Sequence, residues 1–543
     1  MLRSQRSGAL FENRAMRVIL KKTVFIILCA MLCLSGCRPG NTAGAQEAAA
    51  GDKYRTTYEI FVGSFCDSDG DGTGDLNGIR SKLDYIADLG FDALWLTPVH
   101  PSSTYHKYDV DDYYAIDPAF GSAEDYEALI NECHERGMCI YLDLVLNHTS
   151  EDHEWFMAAT DYLRELPSGW DPDPSYCKYY DYYNFTREPA DGFTQLEGTD
   201  WYYEARFWSE MPDLNLSSEA VRTEIRDIMA FWLGKGIDGF RLDAVTSYFT
   251  DDPAANTKFV RFLTETARSI DPDCFITGEA WTDSDTIAEL YSSGIDSLFD
   301  FPYAGRDGLI AKTLNGTYSA SYYVRNMVRA ERAYGNANAC FIDAPFYTNH
   351  DMDRSAEYYP DDNGPLTKMA YAMSLFMTGN AFVYYGEEAG MGGAGRDENR
   401  RAPMYWSDDA AYPGMCAGPP GMEEVRMKFP PLSEQMDDDA SLYHWFRDVI
   451  RIRNEYPSIA RGLTERADAL CDSSTAAFFR RSEEHGDLLI VMNLRGDPEE
   501  KDLSGVNGRL RLAATLTAGG EGISFKRGTL QLPAYSIAVF TVE

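Results

Sequence analysis

Residues 239–244 read Gly-Phe-Arg-Leu-Asp-Ala. An apolar stretch of strand length ending in charge predicts a buried strand whose tip carries chemistry. Arg241 and Asp243 stand two apart, on one side of an extended chain. A guanidinium beside a carboxylate favours its ionised, nucleophilic form, so Asp243 is expected to keep its charge. Three more stretches share this build: 142–148 (LDLVLNH), 278–281 (GEAW) and 347–351 (YTNHD).

Strand-like and helix-like segments alternate outward from these four, from residue 57 to about 407. Strands are predicted at 58–65, 91–97, 138–147, 237–245, 275–280, 297–301, 339–347 and 381–386, with helices at 76–89 and 122–136 among the first three. Eight strands separated mostly by helices predict an α/β fold, the (β/α)8 TIM barrel, over residues 55–147 and 212–460. The alternation breaks at 148–211, which is irregular and aromatic (YCKYYDYYNF at 176–185, WYYEARFW at 201–208). A structureless loop of that size does not suit a compact barrel, so an inserted subdomain after strand 3 is expected. After a helix at 442–456, short alternating runs predict an antiparallel β-domain over 461–543.

The 543 residues are 44% hydrophobic and 25% charged, an ordinary globular balance, and the length suggests two to four domains. The formal net charge of −37 disfavours nucleic acid and anionic lipid and favours neutral partners and cations such as calcium. The first 36 residues are basic instead. A basic segment at 16–22 precedes an apolar run at 23–34, too short to span a bilayer comfortably and laid out like an export signal. Leu34-Ser-Gly-Cys37 resembles a bacterial lipobox, which makes Cys37 the expected lipidation site and mature N-terminus. The reading is thus a signal at 1–36, opening at Met1 or Met16, and a flexible tether at 37–54. Membrane attachment is expected through that lipid only, on the bacterial surface. Of 11 cysteines, Cys29 and Cys33 fall in the signal; the eight beyond Cys37 lack metal-ligand spacing.

Asp243, Glu279 and Asp351 follow the fourth, fifth and seventh predicted strands, and in a barrel those tips converge on one face. One carboxylate at a strand end is commonly a cap; three on one face suit glycoside cleavage, which needs one acid to protonate the leaving oxygen and one to engage the anomeric carbon. Glu279, between Gly278 and Trp281, has a setting suited to raising its pKa. His148 and His350 end two of the motifs, as hydrogen-bond donors to a polyol or as metal ligands; no HExxH spacing supports the second role. Residues 67–75 read DSDGDGTGD, an acidic turn resembling the start of an EF-hand loop, with Asp67, Asp69, Asp71, the backbone of Thr73 and Asp75 as oxygens for Ca2+. Gly78 stands where that motif has its bidentate glutamate.

With these residues assembled, the chain resembles the α-amylase superfamily of glycoside hydrolases (family 13) from about residue 55 onward. DLVLNH, GFRLDA, GEAW and TNHD resemble its four defining regions, MPDLNL (211–216) its fifth, and GNAFVYYGEE (379–388) its eighth-strand signature. The resemblance implies Asp243 as nucleophile, Glu279 as general acid/base and Asp351 as transition-state stabiliser. It also implies Arg241, His148 and His350 around the sugar at the cleavage point, with Tyr108 stacked beneath that sugar. It implies retention of configuration, a B domain for the insertion and a C domain for the terminal sheet. Ala244, where exo-acting α-1,6 enzymes tend to carry valine, favours α-1,4 bonds. Asn147 matches a ligand of a second calcium site, whose histidine is replaced by Ser247.

The expected function is an α-amylase acting on starch, maltodextrin and maltooligosaccharides, as a monomer, without nucleic acid. An α-glucosidase, oligo-1,6-glucosidase or transglycosylase with the same machinery is the enzymatic alternative. A non-catalytic starch-binding uptake lipoprotein is the alternative from another class.

Overall fold

The computed structural model describes residues 52–543 apart from Ser168, Asn363, Gly520 and Glu521, so the signal segment and Cys37 lie outside the described residues. Eight strands form one sheet: β1 (Thr56–Ile60), β2 (Ala93–Leu96), β3 (Cys139–Leu144), β4 (Gly239–Leu242), β5 (Phe275–Gly278), β6 (Ser297–Phe299), β7 (Ile342–Ala344) and β8 (Ala381–Tyr384). They pair in the order β7-β6-β5-β4-β3-β2-β1-β8, every pair parallel. Asn380 N donates to Asp343 O (2.8 Å) and Phe382 N to Pro345 O (2.9 Å), which closes the sheet into the TIM barrel. Trp95, Tyr141, Phe275, Phe299, Ile342 and Phe382 fill its interior. The larger core lies between strands and surrounding helices.

The strands are shorter than the apolar runs that predict them. The run at 58–65, for instance, leaves the sheet at Ile60 and turns through a 3-10 helix at Val62–Ser64. Strands buried on both faces, and the turns packed over their rims, are equally apolar, so the pattern does not mark the ends. The single helix predicted at 76–89 is two, Leu76–Ser81 and Leu83–Leu89, joined at Lys82 (φ −110°). Asp75 caps the first by accepting from Gly78 N, and Gly90 closes the second in the left-handed conformation (φ 98°) that glycine adopts without penalty.

The insertion after β3 holds a helix (Glu154–Glu165) and a three-stranded antiparallel sheet with Tyr202–Glu204 between Phe185–Thr186 and Phe193–Gln195. Its aromatic density has a packing cause: Phe156 meets Tyr183 and Tyr203 edge-on at 5.1 and 4.9 Å. Bridges His148–Asp213 and Tyr183–Leu214 tie its end back to the tip of β3. After the helix Leu442–Glu455 come a five-stranded antiparallel sheet and a three-stranded sheet of Glu499–Asp502, Thr529–Leu532 and Ser524–Lys526. Two barrel–terminal-domain links are Arg480 Nη1 to Glu331 Oε1 (3.1 Å) and Arg495 Nη1 to Thr313 O (2.8 Å). All eight described cysteines are free thiols. No described helix is long and apolar enough to cross a membrane.

Candidate active site

Parallel strands of a barrel deliver their C-terminal tips to one rim, and the inward positions there are polar. On β4, Arg241 is fully buried and points inward. Its Nη1 donates to Asp143 Oδ1 (2.9 Å) on β3 and to Asp243 Oδ1 (2.7 Å) just past β4; its Nη2 donates to Glu279 Oε2 (2.8 Å) just past β5. One guanidinium therefore holds three carboxylates. Removed from water, such charges persist only when paired and hydrogen-bonded this closely.

A second set meets the first through Asp143. Tyr108 OH donates to Asp143 Oδ2 (2.9 Å), lies 2.7 Å from His350 Nε2, and its ring stacks on His350 at 5.2 Å. His350 Nδ1 lies 2.7 Å from Glu59 Oε1 on β1, and its Nε2 lies 3.2 Å from Asp351 Oδ2. Asp351 sits on the loop after β7, where Arg401 Nη2 donates to its Oδ1 (2.8 Å) and Asn349 Oδ1 accepts from its N–H (3.0 Å). His148 Nε2–H donates to the Tyr108 carbonyl (3.2 Å), the tautomer fixed because a carbonyl only accepts, and its ring lies beside Phe207 (5.4 Å).

These surroundings sort the protons. Burial, helped by Asp243 and Asp351, pushes Glu279 up to about 7 against the pull of Arg241. The tryptophan setting is not the cause: Trp281 is 55% exposed and stacks on Phe301 instead. Burial raises Asp243 too, with Arg241 the main counterweight, so the guanidinium does not by itself hold that acid down. Burial opposes charge on His350, yet Asp351 and Glu59 carry it up to about 10, and it is an imidazolium at neutral pH. Asp351 is buried as well, and His350 and Arg401 hold it well below the usual carboxylate range. Burial lowers His148 to about 4, so it is neutral.

Asp243, Glu279, Asp351, Arg241, Tyr108, His148 and His350, each singled out in the sequence, thus lie in one hydrogen-bonded region. Glu59, Asp143 and Arg401 belong to it as well and were not singled out. Asp143 lies inside the LDLVLNH stretch, whose charged end alone drew attention.

In the acidic turn, Asp67, Asp69 and Asp71 each bring a carboxylate oxygen within 4.8 Å of the others, an all-oxygen set of the kind a hard cation takes. Asp75 is outside that group: its carboxylate accepts from Ser68 N (2.7 Å) and Gly78 N (2.8 Å) as the helix cap. Thr73 N–H donates to Asp71 Oδ1 (2.7 Å). Gly78 has no room for a glutamate, since a Cβ there would stand 1.8 Å from Cys66 O. The turn is stitched to residues 414–417 by Asp67 N to Gly414 O (3.1 Å) and Ala417 N to Gly72 O (2.7 Å). Around Asn147, which the family resemblance matches to a calcium ligand, Asn147 Nδ2 donates to Asp213 Oδ1 (3.1 Å), and Arg206 pairs with Glu204 at 2.6 Å.

Comparison with known proteins agrees with this architecture. The family model described as "Alpha amylase, catalytic domain" matches residues 59–462. The chain belongs to the α-amylase family of glycoside hydrolases, family 13. The solved structure of Eubacterium rectale Amy13B is 45% identical and superposes with a TM-score of 0.89, covering 91% of this chain and 96% of that one. Alpha-amylase 3 of Dictyoglomus thermophilum is 37% identical over 449 residues, 80% of this chain and 84% of that protein. The oligo-1,6-glucosidase of Heyndrickxia coagulans is 28% identical over 548 residues, 85% of this chain and 95% of that protein.

Proposed function

We propose that this glycoside hydrolase is an α-amylase that cleaves α-1,4 bonds of starch, maltodextrin and maltooligosaccharides with retention of configuration. The observation that carries the mechanism is the shared guanidinium. Arg241 holds Asp243 and Glu279 together while burial keeps Glu279 protonated up to about 7. Glu279 gives its proton to the glycosidic oxygen as the C1–O bond breaks toward that oxygen. The Asp243 carboxylate takes C1 from the opposite side and forms the glycosyl-enzyme. Glu279, now ionised, removes a proton from water; the water oxygen bonds to C1 and Asp243 leaves as carboxylate. Asp351, kept ionised by His350 and Arg401, accepts hydrogen bonds from sugar hydroxyls. Tyr108, with His148 beside it, forms the floor and wall beneath that sugar.

Two relatives are named or described as α-amylases (the Dictyoglomus protein and an enzyme from H. orenii, 32% identical with a TM-score of 0.78), which supports the α-1,4 reading. The oligo-1,6-glucosidase relative supports the alternative of an exo-acting glucosidase. A time course on soluble starch and on maltotriose separates them: mixed oligosaccharides with fast loss of iodine colour are expected. Glucose alone from the start would move the enzyme to the glucosidases, and binding without product would make it an uptake protein.

Asp67, Asp69 and Asp71, with the Thr73 carbonyl, would hold a structural Ca2+ that offsets most of the turn's charge, while Asp75 stays the helix cap instead of the ligand the sequence suggests. Lipidation of Cys37 would anchor the monomeric enzyme to the outer face of the cell membrane. Cys37→Ser should release it into the soluble fraction; retention in the membrane would refute the anchor.

A further inference from the structure

Residue 244 follows the nucleophile position directly, and its backbone is unusual. Ala244 has φ 45°, in the left-handed region that non-glycine residues seldom occupy and that, near active sites, marks a conformation enforced by its surroundings. The chain leaves β4 there in a tight turn, with Ser247 N donating to Ala244 O (2.8 Å). In this conformation the Ala244 N–H donates to Glu279 Oε2 (3.0 Å), the same oxygen that accepts from Arg241 Nη2 (2.8 Å). Val245 N also donates to the Glu279 carbonyl (3.1 Å), so the turn grips both ends of this residue.

A carboxylate oxygen offers two in-plane lone pairs. Both on Oε2 are engaged by N–H donors, and a proton placed there would face a donor and break one of the two bonds. We propose that Ala244 is a positioning residue for the acid: its left-handed N–H, acting with Arg241, saturates Glu279 Oε2 and confines the catalytic proton to Oε1. The acid then presents one defined oxygen to the glycosidic bond, with no tautomer to lose to the wrong side. Glu279 is faced by Arg241 and Asp243 from β4, by Tyr248 from the turn beyond it and by Asp351 from the loop after β7, while Arg241 is held in turn by Asp143. Among these groups the Ala244 N–H is a neutral donor, so it can be removed without changing the charge of the site.

The inference rests on the glycosidase activity, and the wild-type enzyme run in the same assay tests that activity separately. The decisive variant carries L-lactic acid at position 244, which swaps the N–H for an ester oxygen and leaves the methyl group. Because a hydrogen bond favours the ionised carboxylate, losing it raises the acid's pKa. The alkaline limb of kcat against pH should move up by about one unit, the worth of one hydrogen bond to a charged group. At the same time the plateau of kcat should fall by up to about twofold, the most that sharing one proton between two equivalent oxygens can cost. Ala244→Gly keeps the N–H and should keep the limb at its wild-type pH. Glycolic acid at position 244, the ester counterpart of Ala244→Gly, removes the same N–H without a side chain in the left-handed turn, should shift the limb as the lactic acid variant does, and serves if that variant does not fold. A folded ester variant of either kind with the limb unmoved would overturn the proposal, as would a glycine variant shifted as far as the ester.

Discussion

At the scale of residues, Asp143 carries more of the site than its place inside β3 suggests. It accepts from Arg241, from Tyr108 OH and from Trp95 Nε1 (3.1 Å), and so joins the two halves of the constellation. Asp143→Ala would leave Arg241 buried with one partner fewer. The expected cost is about 3–5 kcal/mol of stability, checked by denaturant unfolding against wild type. Asp243→Asn should instead keep the fold and lose turnover by ~10³-fold or more, read by reducing-sugar release from maltotriose. The pH profile of kcat/KM should fall on the alkaline side near 7, where Glu279 loses its proton, and on the acid side where Asp243, raised by burial from its ordinary value, gains one. Stability follows a different group. His350, raised to about 10, contributes fully below its unfolded value near 6.5, and that contribution is lost as pH rises toward 10. A melting temperature that does not fall between those limits would contradict the imidazolium. The site was legible where charge ends an apolar run, as at Asp243, Glu279 and His350. It was not legible at Glu59, which an alternating pattern assigns to solvent, because a closed barrel buries both faces of a strand. Nor was it at Arg401, which lies in a segment without periodicity.

At the scale of elements, the acidic turn and the 414–417 segment behave as one unit, because two backbone hydrogen bonds join them. The same stretch of chain supplies Arg401 to Asp351 and Trp406 Nε1 to Phe65 O (2.8 Å). Chelation is therefore expected to lower the melting temperature by a few degrees, the effect of losing roughly 2–3 kcal/mol of ion binding. Protease cleavage should rise first within residues 404–418. No change in melting temperature after exhaustive chelation would remove the cation from this turn. Eight barrel strands could be read from sequence because each lies in a mostly apolar segment of strand length, even where one charged residue interrupts it, as Glu59, Asp143, Arg241 and Asp343 do. The three-stranded terminal sheet could not: Glu499–Asp502 is Glu-Glu-Lys-Asp, whose pattern matches an exposed loop and whose strand character comes only from pairing with Thr529–Leu532.

At the scale of the whole molecule, the terminal domain is a structural part of the barrel's wall. Arg480 is buried against Glu331 and donates to Phe376 O (2.6 Å), and Ala320 N and Ser321 N donate to Ser473 O and Asp472 O. A chain ending at residue 460 would expose these groups and is expected to aggregate, which size-exclusion chromatography would show; a monodisperse, active fragment would contradict the dependence. Barrel closure has a consequence in time. β1 bonds to β8, and the ribosome delivers β8 roughly 300 residues later, about 15–60 s at ordinary elongation rates. Through that interval one edge of β1 awaits its partner, a template for pairing with another chain. Glu59, the last paired residue of that edge, discourages a foreign strand while the nascent chain waits, long before it orients His350.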